Sequence, residues 1–341
     1  MDIRVGILTA PQIEFEQREK TFVLKNVRIG IGFHWDRHED QEFAGSLEIR
    51  NNADGTQTAI NTIDLEDYLC SVISSEMSAN SPMELLKAHA VISRSWAIRA
   101  IQKPNHEGFH VCADDHCQRY EGLRRMSERA VEAVRATKGQ VLAYGDEICD
   151  CRYYKCCGGK TEVWRTCWED IDVPYIQSVR CDWCKSPSPK VLRLVLNDYD
   201  QETKDFRDWR VSYTADELSE IIRTKSGIDF GEIIDLIPLK RGASGRIYEL
   251  QIVGSKHTEI IGKELKIRLW LSRTCLYSSW FEVEKNHSYI VHPSFVLTGH
   301  GWGHGAGLCQ IGAAVMASEG KSYEEILSYY YAGSRLSVAT L

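Results

Sequence analysis

Long apolar runs are missing from this 341-residue chain, and no stretch approaches the roughly 18 residues that cross a bilayer as a helix. A helical membrane span is therefore excluded. A basic stripe is missing too: 41 Lys and Arg are scattered against 48 Asp and Glu, for a net charge of −7. Without that electrostatic footprint, nucleic acid is excluded as a partner. No internal repeat of the solenoid kind is visible, and Pro, Gly and Ser are nowhere concentrated into a linker. The start, Met1-Asp2-Ile3-Arg4-Val5-Gly6-Ile7-Leu8, lacks the basic head, apolar centre and cleavage site of a signal peptide and alternates like a strand. Either a leader has been trimmed or the chain stays inside.

What is present is an ordinary 43% of apolar residues, enough for a real core, and an unusual set of twelve cysteines. Nine of the twelve fall between Cys112 and Cys184, and such crowding points to bridges, a metal, or both.

The hydrophobic period divides the chain. Residues 1–60 read as a β module, with strands at Val5 to Leu8, Thr21 to Val27, Arg28 to His34 and Leu47 to Arg50. From Asp64, placed to cap a helix, Leu65, Leu69, Val72 and Glu76 fall on one helical face. Ser81-Pro82-Met83-Glu84 reads as a capping box opening a second helix to about Ala100, and a third helix is predicted from Ser127 to Ala136 before a strand at Gln140 to Tyr144. A cysteine-rich and helical insertion region is expected over 145–240. Thr214-Ala215-Asp216-Glu217 caps a helix ended by Gly227, Arg246 to Val253 and Leu265 to Leu271 alternate as strands, and Ser322 caps a last helix ending near Gly333. The expected fold is a single α+β domain over 1–341, its helices packed on antiparallel sheet from both ends of the chain.

Three segments carry chemistry. They are Ser75-Glu76-Met77-Ser78 with the following helix Pro82 to Ala97, then Tyr153-Tyr154-Lys155-Cys156-Cys157-Gly158-Gly159-Lys160-Thr161, then the glycine-rich run Gly299 to Ala313 with Tyr329-Tyr330-Tyr331-Ala332-Gly333 after it. Together, from about Ile3 to Gly333, they resemble the stage II sporulation protein D family of peptidoglycan lytic transglycosylases and its relatives, the amidase enhancers. Where the family has Pro after Glu-Met, Gln-Ala, Arg-Thr-Tyr and Ser-Gln-Tyr-Gly, this chain has Ser78, His89-Ala90, Arg94-Ser95-Trp96 and Cys309-Gln310-Ile311-Gly312.

The resemblance implies that Glu76 is the acid and base of a lytic transglycosylase. Such an enzyme cuts the β-1,4 bond between N-acetylmuramic acid and N-acetylglucosamine and leaves 1,6-anhydro ends. Independently, Glu76 extends an apolar stripe, where loss of water favours the protonated acid that glycosidic cleavage needs. One carboxylate suffices, because the sugar's own 6-hydroxyl closes the ring and returns the proton. The bland alternative is an exposed helix-end carboxylate; the neighbouring Asp67 and Glu84 suit first-turn capping.

The glycine-rich run lets backbone approach a ligand, and His300, Trp302, His304 and Gln310, with Arg94, are the candidate glycan-binding residues. Its alternative is a tight loop whose histidines satisfy backbone carbonyls. The expected partners are peptide-free glycan strands and a cell-wall amidase, in the cell envelope. Two rivals remain: an amidase enhancer that binds glycan without cutting, and a thiol hydrolase pairing Cys309 with His304 or His300.

Between His106 and Cys117 lie two Cys and three His. Cys112, His116 and Cys117, with His110 or His106 as fourth ligand, can close a tetrahedral structural zinc site, and the resemblance implies zinc from this region in some members. A Cys112–Cys117 disulfide is the alternative. Cys181-Asp182-Trp183-Cys184 has the Cys-x-x-Cys form without a thioredoxin-like surround, so disulfides to Cys149, Cys151, Cys156, Cys157 or Cys167 are favoured over a redox role. No organic cofactor is expected.

Overall fold

The computed structural model describes residues 1–31, 36–78, 80–114, 116–185, 187–196, 207–286 and 294–339. Part of the strand expected up to His34 lies outside them. The architecture is the mixed α+β one the period changes imply, organised as three hydrophobic cores.

The first core forms where an N-terminal sheet meets helices. Strand Asp2–Ala10 pairs antiparallel with Gln57–Asp64, which pairs with Ser46–Asn51, while the short Val111–Cys112 joins the other edge in parallel. The segment Thr21–Ile29 is one strand, paired with Arg37–Ala44 in a second sheet, rather than two. Helix α1 (Leu65–Glu76) starts as expected, the Asp64 carboxylate accepting the Glu66 amide at 2.9 Å. Helix α2 (Met83–Gln102) starts differently. The cap position falls on Pro82, and the Ser81 hydroxyl turns to the Leu194 carbonyl instead of closing a capping box.

Helix α2 is buried on nearly all sides, which places it between cores. Leu86, Ala90, Trp96 and Ala97 face the first core with α1 and α3 (Glu128–Ala136). Leu85, Ala88, Val91 and Ile92 face the second, which contains the buried cysteines and the helices Gln310–Ser318 and Tyr323–Tyr330. The expected capping boxes at Thr214 and Ser322 both form.

The third core joins two three-stranded sheets to the helices Ala215–Ser226 and Glu264–Trp270. The second of these helices replaces the strand expected at Leu265 to Leu271. Glu264, Ile267, Arg268 and Leu271 are buried while Leu265 is exposed, so the helical spacing outweighs the apparent alternation. None of the twelve cysteines is disulfide-bonded, against the pairings favoured for Cys181 and Cys184.

Arg94 is fully buried at the junction of these helices. Its guanidinium holds both oxygens of Glu66, at 2.8 and 2.7 Å, and donates to the Gln140, Ala90 and Val134 carbonyls. The start of α1, the end of α3 and the following strand are thereby tied to α2. Removing one partner of such a pair strands the other charge, at a typical cost of about 3–5 kcal/mol. Arg94→Met is expected to lose about that much in urea unfolding, with part recovered in the Glu66→Gln/Arg94→Met double variant. A single variant as stable as wild type, with weakened glycan binding, would instead place Arg94 at the ligand.

Candidate functional site

Helix α1 ends with its serines turned inward, Ser74 and Ser75 donating to the carbonyls of Cys70 and Ser71. Met77 leaves the helix in extended geometry and is buried. Glu76 is thus the last helical residue, half-buried. A helix C-terminus is poor company for a carboxylate, since its carbonyl dipoles point the same charge outward. Two donors offset this, both reaching Oε1: the Arg119 backbone N–H at 2.9 Å and the Tyr153 hydroxyl at 2.9 Å.

Tyr153 lies on the two-residue strand Tyr153–Tyr154, which pairs in parallel with Leu308–Cys309. Burial and the neighbouring Glu76 charge push its phenol far above the ordinary tyrosine range, so it remains the proton donor of that pair. Its ring rests edge-on against His89 at 4.4 Å between centroids. His89 is fully buried, and burial together with the Lys155 charge lowers its pKa to about 3, so it stays neutral. The Gln310 amide nitrogen lies 3.0 Å from Nε2 and Ser93 Oγ 3.2 Å from Nδ1. With Gln310 as donor, the imidazole proton sits on Nδ1.

His304 supports Tyr153 from the other side. Its Nε2 donates to the Tyr153 carbonyl at 2.9 Å and its Nδ1 accepts the Ala306 amide at 3.1 Å. The ring lies between Tyr154 and Trp168, at 5.2 and 4.9 Å, and burial keeps it neutral by holding its pKa well below the usual value. Both ring nitrogens are therefore committed to the protein's own backbone.

The glycine-rich run owes its shape to contact with that same support. Gly301, Gly303, Gly305 and Gly307 all have positive φ. A Cβ on Gly307 would stand 2.0 Å from the Arg152 carbonyl oxygen, and one on Gly305 would stand 2.6 Å from the Arg246 guanidinium carbon. The close approach that the glycines allow is to protein rather than to open space.

Glu76, Tyr153, His89, Gln310 and His304 are thus brought together. His300 is not among them: it is part-exposed, bonded through Nδ1 to Asp208 at 2.6 Å and packed on Trp280. Trp302 is buried against Tyr277, with the Lys155 ammonium 5.8 Å from its ring. Arg94 is enclosed with Glu66, without exposure. Cys309 is fully buried, its sulfur accepting the Cys157 and Gly312 amides, while His304 and His300 are engaged elsewhere; no thiolate–imidazole pair assembles. Tyr153, His89 and Arg119 were not singled out by sequence reading, although the first two sit inside quoted motifs.

Two residues before Arg119 the chain carries a metal-type group. The ligand atoms of His106, Cys112, His116 and Cys117 all lie within 4.8 Å of one another. His106 Nε2 stands 3.2 Å and His116 Nδ1 3.5 Å from the Cys117 sulfur. His110, the first choice for fourth ligand, accepts the Arg4 amide at Nδ1 (3.0 Å) and is not part of the group, whereas His106 is. Two nitrogens and two sulfurs so spaced suit one tetrahedral zinc.

Two family models match the chain: one described as "Stage II sporulation protein" over residues 53–144, and one described as a domain of unknown function (DUF8618) over residues 162–307. An uncharacterized protein of Brachyspira hyodysenteriae is 30% identical over 294 residues, 86% of this chain and 71% of that protein. The stage II sporulation protein D of Bacillus subtilis is 29% identical over 299 residues, 82% and 76% of the two chains. The amidase enhancer of the same bacterium is 27% identical over 298 residues, covering 78% of this chain and 40% of that one.

The neutral histidines set a pH dependence. His89 has a folded pKa near 3 against an ordinary 6.5, so below pH 6.5 the unfolded chain binds a proton that the native state refuses. Stability is therefore complete above about 6.5 and falls as pH drops toward 3, by about 1.4 kcal/mol per pH unit for each such group. His304 acts in the same direction. Urea unfolding at pH 6.5 and 5.0 is expected to show His89→Gln with a pH loss smaller by about 2 kcal/mol than wild type. Equal losses in the two proteins would mean that His89 is protonated in the fold.

Proposed function

As this chain belongs to the stage II sporulation protein D family, we propose that it is a lytic transglycosylase of peptidoglycan glycan strands, with Glu76 as the single acid and base. The observation that carries the reading is the placement of Glu76: half-buried at a helix end, gripped on Oε1 by the Tyr153 hydroxyl and the Arg119 amide. Two donors from different parts of the chain fix the carboxyl more tightly than a surface glutamate needs, and proton transfer to a glycosidic oxygen demands such positioning.

In the proposed reaction protonated Glu76 gives its proton to the leaving N-acetylglucosamine oxygen as the bond to the muramic C1 breaks. The resulting carboxylate takes the proton of the muramic 6-hydroxyl as that oxygen closes onto C1. The proton balance returns to its start, and no water is consumed. Tyr153 and Arg119 hold the carboxyl through both steps, while His89, Gln310 and His304 hold Tyr153. His300, part-exposed, is the remaining candidate for sugar contact, since Trp302 is buried. Zinc bound by His106, Cys112, His116 and Cys117 would supply cross-linking of the Arg119 loop rather than a chemical step.

The site of action proposed is the cell envelope, on strands from which an amidase has removed the peptides. The glycine-rich run contributes no Arg or Lys for stem-peptide carboxylates.

Glu76→Gln keeps the shape and loses the transferable proton, so cleavage is expected to fall by ~10²–10⁴-fold with folding and glycan binding kept. Mass spectrometry of wild-type products should give 1,6-anhydro ends; reducing ends would make the protein a hydrolase, and glycan bound without products would make it an amidase enhancer. Amidase-treated strands should be cut about tenfold faster than intact peptidoglycan, a discrimination of about 1.4 kcal/mol. Equal rates on the two substrates would remove the argument for peptide exclusion.

A further inference from the structure

A second group of cysteines lies apart from the His106 to Cys117 loop. Cys157, Cys181, Cys184 and Cys309 are all buried, and their four sulfurs lie within 4.8 Å of one another. They come from three distant parts of the chain: the turn after strand Tyr153–Tyr154, the short 3-10 turn Asp182–Cys184, and the residue that caps helix Gln310–Ser318. We propose that these four cysteines hold a single tetrahedral zinc ion, a second metal centre of this chain.

Size decides among the ways four cysteines can meet. Four thiolates at ~2.3 Å from one ion stand ~3.8 Å from one another, which the 4.8 Å limit admits. A disulfide requires ~2.05 Å, whereas the sulfurs of Cys157 and Cys184 stand 3.1 Å apart. One bridge there would also leave the sulfurs of Cys181 and Cys309 buried beside it.

The surroundings are those of thiolates. Backbone amides of Gly159 and Cys157 point at the sulfurs of Cys157 and Cys309, each at 3.3 Å, and the Gly312 amide reaches Cys309 at 3.4 Å. The Tyr330 hydroxyl lies 3.2 Å from the Cys181 sulfur. Donors converging on sulfur are the usual second layer of a thiolate metal site. The backbone is shaped for it as well. Gly158 and Gly159 take φ of 80° and 129°, turning the chain so that the Gly159 amide folds back on Cys157. At Gly312 a Cβ would stand 2.7 Å from the Cys181 sulfur and 2.3 Å from the Tyr330 oxygen, so the sulfurs are packed in without slack. Four buried thiolates without a cation would repel one another strongly, and a divalent ion removes half of that charge.

The ion would join the segment whose Tyr153 bonds Glu76 to the segment whose Gln310 bonds His89. Tyr153 precedes Cys157 by four residues, and Gln310 follows Cys309 directly. The inference does not depend on the proposed reaction, because its readout is metal rather than activity.

The test uses the full chain, purified without chelator under reducing conditions, with zinc measured by elemental analysis and its ligands by X-ray absorption. The Cys112→Ser/Cys117→Ser variant, which lacks the first group, is expected to retain about one zinc per chain bound by sulfur alone. The Cys181→Ser/Cys184→Ser variant should lose that ion. Should either variant fail to fold, the wild type decides: with both groups filled it averages three sulfurs and one nitrogen per zinc, whereas the first group alone gives two of each. About one zinc per chain with a mixed nitrogen and sulfur shell in the wild type, or intact mass showing a Cys157–Cys184 disulfide, would overturn the proposal.

Discussion

A single carboxylate held at the wrong end of a helix sets the terms for the centre of this molecule. The carbonyl end of α1 offers Glu76 no favourable dipole, so its position depends on donors brought from elsewhere in the chain. Arg119 brings a backbone amide and Tyr153 a hydroxyl, from segments 43 and 77 residues away. Neither segment is long enough or regular enough to hold itself. Among the described residues the Arg119 loop has only the two-residue strand Val111–Cys112 for secondary structure nearby, and Tyr153 lies on another two-residue strand. Side-chain chemistry adds to their few backbone bonds, and each lies within a few residues of a group of metal-type ligands.

Histidine serves here as a neutral polar strut. His89 and His304 flank Tyr153, one against its ring and the other on its carbonyl, and burial suppresses the charge of both. In a low-dielectric interior each hydrogen bond is worth more, and an unmet donor or acceptor costs more, than at the surface. Gln310 and Ser93 meet the nitrogens of His89, and the Tyr153 carbonyl and Ala306 amide meet those of His304. The chain of contacts from Gln310 through His89 and Tyr153 to Glu76 is accordingly closed at each joint, which specifies one geometry for the carboxyl.

The sequence carried more of the fold than of the site. Asp64, Thr214 and Ser322 announced their helices because a cap acts on amides two or three residues away, a range that spacing can encode. Ser81 had the same local pattern, but a carbonyl 113 residues distant took its hydroxyl. Leu265 to Leu271 misled for a related reason: Glu264 and Arg268 are charged yet buried, Arg268 donating to Glu264 Oε1 at 3.5 Å and to the Leu276 carbonyl at 2.8 Å, so polarity no longer marked the outer face. At the site, Glu76 was legible from its stripe and motif, whereas Tyr153, His89 and Arg119 were not. Their roles arise only when strands at 153 and 308 pair and the 117–119 loop folds onto α1. Arg94, expected near substrate, proved to be occupied by Glu66, a partner that lies on a different helix and leaves no trace in local spacing.

The third core bears on the site through a buried polar knot, beside the Trp209 indole bond to the Gly301 carbonyl. Glu162 accepts the Ala243 and Ser244 amides and the Ser244 hydroxyl, and its own amide donates to the Gly305 carbonyl. Arg246, fully buried, donates to Ser244, to the Gly303 carbonyl and to the Cys157 carbonyl. A carboxylate and a guanidinium inside the protein are tolerable only when bonded this completely. Their bonds run to the glycine-rich run on one side and to the cysteine turn on the other. The alternating glycines explain why this is possible: with no Cβ at Gly303 and Gly305, the loop lies directly on Tyr154 and on the Arg246 guanidinium. The knot of Glu162 and Arg246 therefore acts on Glu76 through intermediates. It clamps the loop, the loop's His304 holds the Tyr153 backbone, and Tyr153 holds the carboxyl.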